Sequence, residues 1–85
     1  MKLFLLRPKK GLTGDDNCWD PWYDCSFGFV IRARTEFAAR MIADRNAGSE
    51  NSSSKSPWLN KELSTCVELT AEGKPEMIIQ DFASA

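Results

Sequence analysis

The stretch SFGFVIRARTEFAARMIADRNAG, residues 26–48, changes its apolar period half-way along. Up to Ala33 the period is two. Phe27, Phe29, Ile31 and Ala33 fall on one side of an extended chain, and Ser26, Gly28, Val30 and Arg32 on the other, as in a half-buried strand. Thr35 then stands where a helix N-cap belongs, with Glu36 placed against the positive end of the helix dipole. Beyond it the period lengthens: Phe37, Ala38, Met41 and Ile42 share one helical face, and Glu36 and Arg40 form an i,i+4 pair outside. Gly48 after Ala47 supplies a C-terminal stop. The spacing predicts a strand running into a helix over 36–47.

Upstream, Lys2–Arg7 is a short apolar run that Pro8 ends, because proline has no N–H to give a ladder. Residues 12–17, LTGDDN, are turn chemistry, and Asp20-Pro21 is a second break. Downstream, residues 48–57 hold five serines among turn formers, which predicts a flexible loop. Trp58-Leu59 re-anchors the chain, and Asn60 is placed to cap one turn through Leu63. Thr65, Val67 and Leu69 alternate with Cys66, Glu68 and Thr70 as a further strand. Ala71–Pro75 reads as a hairpin turn, and Met77–Phe82 as a fourth strand. The expected fold is a single α+β domain over 1–85: a four-stranded, mostly antiparallel sheet in ββαββ order, with the helix on one face.

Composition bounds what this domain does. Eighty-five residues bury a modest core. An apolar fraction of 42% and a charged fraction of 27% are ordinary for a globular chain. The net charge of −1 hides blocks: residues 1–10 are basic, 13–25 acidic, 32–45 basic again, and 61 onward acidic. Such alternation favours internal pairing or a two-toned surface over a polyanion-binding face. The basic corner at Arg7, Lys9 and Lys10 and the arginines at 32, 34, 40 and 45 leave nucleic-acid binding as a lesser alternative. No apolar run approaches a membrane span, and the run before Arg7 is too short for a secretory leader. The expectation is a cytoplasmic protein.

The densest chemistry lies in NCWDPWYDCSFGF, residues 17–29, which carries five of the nine aromatic residues. Cys18 and Cys25 frame it, and Asp15, Asp16, Asp20 and Asp24 punctuate or precede it. A zinc site needs closer cysteine pairs or Cys/His sets, and the chain has no histidine. From Asp15, an EF-hand pattern fails at its fifth and sixth positions, Trp19 and Asp20. Neither metal nor cofactor is expected. Without histidine, Ser–His and Cys–His nucleophile pairs are excluded, and no phosphate-cradling or nucleophile-elbow motif occurs. The chain reads as a non-enzyme. Three cysteines are too few for a disulfide scaffold and read as reduced thiols, with a Cys18–Cys25 bond left open.

Trp and Tyr bring large rigid area with a polar tip, which suits both interface hot spots and small cores. Phe27 and Phe29 keep strand register and are expected inside. Trp19, Asp20, Trp22, Tyr23 and Asp24 are the expected partner contacts, with Asp15 and Asp16 as an acidic rim that mimics phosphates toward a basic groove. One helix covers one side of the sheet. The other side requires a loop, a second copy or a partner.

The run PWYDCSFGFVIRARTEFAARMIADRNAG, with WLNKELSTCVELT and EMIIQDFA after it, resembles a family of short bacterial and phage proteins of unassigned function. The similarity spans nearly the whole chain. It implies a coherent fold and transfers neither an activity nor site residues. By size and interface-like loop the chain is also similar in kind to anti-CRISPR and other anti-defence proteins. The expected function is therefore occlusion of a surface on a larger protein complex, such as a CRISPR effector. The alternatives are a small homodimeric or ligand-binding housekeeping domain, or a nucleic-acid-binding module.

Overall fold

β1 (Lys2–Pro8) alternates as its sequence requires: Phe4 and Leu6 are buried, while Leu3, Leu5 and Arg7 point the other way. The computed structural model describes residues 1–12, 19, 28–47 and 56–80. β1 is the middle strand of an antiparallel sheet ordered β2-β1-β3, flanked by β2 (Phe29–Ala33) and β3 (Ser64–Leu69). Leu5 stands opposite Val30 on one side and Val67 on the other, which fixes both registers. Pro8 is the last paired position, opposite Ser64.

α1 (Glu36–Asn46) begins where the sequence places it: Thr35 Oγ1 accepts the Ala38 N–H at 3.1 Å. Its buried face differs from the expected one. Ala39, Arg40 and Ala43 lie against the sheet, and Phe37 is 68% exposed, with Ile42 exposed beside it. The reason is volume. Alanines let the helix approach closely, and the space between helix and sheet is filled by aromatic rings from elsewhere in the chain. Pro57–Leu59 forms a 3₁₀ turn entered through Ser56 at φ 45°, and it drops Trp58 into full burial. The Trp58 ring meets Trp19 and Phe29 edge-on, each at 4.9 Å between centroids. Asn60 caps the following turn as expected: its Oδ1 accepts the Glu62 N–H at 2.8 Å, and its carbonyl accepts from Leu63 and Ser64.

The α+β class stands, with one helix and three antiparallel strands among the described residues. The fourth strand expected over Met77–Phe82 has no pairing over residues 77–80; residues 81 and 82 lie outside the described residues. Among the described residues the strand and helix order is ββαβ. Ser26, Phe27, Gly48 and the serine-rich residues up to 55 also lie outside the described residues, as do Cys18 and Cys25. No described helix is long and apolar enough to cross a membrane.

Candidate interaction surface

Of the seven expected contact residues, Trp19 alone is described, and it is a core residue at 6% exposure. Its indole Nε1 donates to the Leu63 carbonyl at 2.8 Å, and the same oxygen accepts the Lys9 N–H at 3.0 Å. One carbonyl thus ties the exit of β1, the aromatic segment and the turn before β3 together. The expectation of Trp19 as a surface contact is corrected: its polar tip serves an internal acceptor, which a Pro-broken segment without periodicity does not reveal. Asp15, Asp16, Asp20, Trp22, Tyr23 and Asp24 lie outside the described residues.

Arg40 was expected on the outer helix face. It does pair with Glu36, Nε to Oε2 at 2.8 Å, but its guanidinium is buried and reaches inward. Nη1 donates to the Trp58 carbonyl at 3.0 Å and to Ser64 Oγ at 2.7 Å, and Nη2 donates to the Ser64 carbonyl at 3.1 Å. Ser64 Oγ in turn donates to the Pro57 carbonyl at 2.7 Å. The planar fork thus satisfies three buried acceptors, which stabilises a charge otherwise costly to bury. Trp58 Nε1 is the exception, buried with no hydrogen-bond partner among the described residues.

Cys66 sits half-buried on the same side of β3, and its thiol is held above the ordinary value. Burial is the main cause, the Glu36 carboxylate adds to it, and Arg40 opposes both. A thiol so held is a poor nucleophile at neutral pH. Among the described residues, no three of Cys, Asp and Glu gather as a set that could hold a metal ion.

Among the described residues the opposite face of the sheet carries no helix. Reading across the strands, one row is Gly28, Arg7 and Thr65; the next is Val30, Leu5 and Val67; the third is Arg32, Leu3 and Leu69. Val30 is 54% and Val67 57% exposed, and Leu3 is exposed beside them. A Cβ on Gly28 would fall 2.9 Å from Arg7 Cδ and 2.9 Å from the Leu6 carbonyl oxygen, so the Arg7 side chain lies across this glycine. Five apolar side chains are thus grouped on one surface with two arginines and no carboxylate. Sequence alternation shows this face in retrospect, since Val30, Val67 and Leu69 stand at its outward positions, but nothing in the alternation says which apolar side receives the helix.

The chain matches no family model, no curated protein and no solved structure. The resemblance drawn from its motifs therefore carries no function, and the surfaces described above have to be argued on their chemistry.

Proposed function

We propose that this chain is a non-enzymatic protein-interaction module that docks through the open face of its sheet. The supporting observation is that face itself: Leu3, Leu5, Val30, Val67 and Leu69 exposed or half-exposed together, rimmed by Arg7 and Arg32. Grouped apolar area of this kind on a small chain marks an interaction site more often than scattered surface leucines do. The rim favours a protein partner that offers apolar side chains beside carboxylates. In its most concrete form the module is an anti-defence inhibitor in the cytoplasm of a bacterial host, covering a surface of a larger complex such as a CRISPR effector. Asp15, Asp16, Asp20, Trp22, Tyr23 and Asp24 keep a place in this reading on their chemistry alone. Trp19 does not.

The test is capture from a bacterial lysate by wild type beside a Val30→Asp/Val67→Asp variant, both first shown folded by near-UV circular dichroism. Aspartate on two edge strands is compatible with the sheet. A partner held by wild type and lost by the folded variant supports the open face. A partner held equally by both removes the face from the reading, and no partner for wild type removes the interaction reading itself. The burial of Trp19 favours a second reading, a small homodimeric domain in which this indole serves the core and not a partner.

A further inference from the structure

Met77, Ile78 and Ile79 are 72%, 54% and 44% exposed, and every residue from Ala71 to Gln80 is exposed. Met-Ile-Ile beside Glu76 and Gln80 has the composition of a strand, yet in the single chain it pairs with nothing among the described residues. The same chain presents a matching vacancy. β2 pairs with β1, and no described residue pairs with its outer edge, a row of N–H and C=O groups of the kind that takes an added strand.

We propose that residues 76–80 of one copy add as a fourth, antiparallel strand to the free edge of β2 in a second copy, reciprocally, making a two-fold dimer.

The side chains choose both edge and register. With Ile78 opposite Val30, antiparallel pairing sets Glu76 opposite Arg32, both on the open face. Met77 then lies beside Ile31 and Ile79 beside Phe29, on the helix side where Phe29 is only half-buried. Gln80 falls opposite Gly28. Sliding the segment by one residue would put Glu76 on the helix side and lose the charge pair. The edge of β3 is the poorer host: with Ile78 opposite Val67, Glu76 stands opposite Leu69, and β3 carries no cation to pair it. Residues 70–75 between β3 and the added strand can span roughly 20 Å when extended, enough to reach a second sheet. Both copies give one strand and take one, so the exchange closes under two-fold symmetry without leaving a free end to propagate. This inference rests on the open-face reading and extends it, since Ile78 would widen the Val30–Leu5–Val67 row.

The experiment is molar mass by light scattering over a concentration series, for wild type, Arg32→Glu, Glu76→Arg, the double variant, and an equimolar mixture of the two single variants. Arg32 and Glu76 are both exposed, so the folds are not at stake. The expected result is a wild-type dimer of twice the 9.6 kDa chain mass. Each single charge reversal is expected to weaken it by roughly ten- to a hundredfold, since like charges then face each other at two junctions. The double variant and the mixture are both expected to dimerise again, the mixture because each of its two junctions pairs opposite charges. A wild-type chain that stays monomeric overturns the exchange, as does a dimer indifferent to both reversals. Rescue in the double variant but not in the mixture also overturns it, since that places the strand on its own chain. Continued capture of a partner by a monomeric wild type would end this inference and leave the open-face reading intact.

Discussion

Arg40 shows what a residue's sequence neighbours conceal. Its i,i+4 spacing from Glu36 is visible in the chain and the pair forms, but its three buried acceptors come from Trp58 and Ser64, 18 and 24 residues away. No local pattern announces them. Arg40→Ala should destabilise the fold by about 2–4 kcal/mol in urea titration, because those acceptors are left dry and unpaired. Ser64→Ala should cost about 1–2 kcal/mol, and the double variant less than the sum of the two, as expected of groups sharing one network. Additive losses would separate the two residues. Cys66 sits beside this network, and the fold favours its protonated form. Its contribution to stability is therefore whole below the ordinary thiol value of 9.0 and is lost as pH rises through the higher folded value. Peptide-mapped alkylation at pH 8 should accordingly label Cys66 more slowly in the folded chain than in urea. Equal rates would remove the effect of burial.

At the scale of elements, the switch from period two to period 3.6 across Ala33 to Glu36 located β2 and α1 from sequence to within a few residues. The face of α1 was not legible in the same way. Phe37, Ala38, Met41 and Ile42 make the more apolar stripe, but the sheet side already holds Trp19, Trp58 and Phe29, and only small side chains fit above them. Two substitutions test this reversal. Phe37→Ser should change stability by no more than about 0.5 kcal/mol, and Ala39→Leu should destabilise by about 1–3 kcal/mol through overpacking. The opposite ranking in chemical denaturation would restore the sequence-based face. Residues 77–80 of the expected fourth strand are also unpaired among the described residues. Their composition is strand-like, but alternation describes what a segment can pair with and says nothing of whether its own sheet offers the place.

For the whole molecule, an α+β class and a helix on one face of the sheet were legible because each follows from a count of elements and their periodicity. Strand order was not, because it depends on contacts between residues far apart in the chain. β1 is the central strand, and its second partner, β3, begins 56 residues after β1 ends. That separation has a consequence during synthesis. At ~5–20 residues per second a ribosome takes roughly 3 to 11 s to make the intervening chain. Throughout that interval the edge of β1 that meets β3 has no ladder to join. A nascent chain stalled before residue 64 should therefore be cut within β1 by a protease at concentrations that spare the finished protein, and protection on the stalled chain would show that β1 and β2 hold without β3. The strand at the centre of the sheet is made before both of its neighbours and enclosed only when the second arrives, so the cell must tolerate, or shield, an adhesive edge each time this protein is translated.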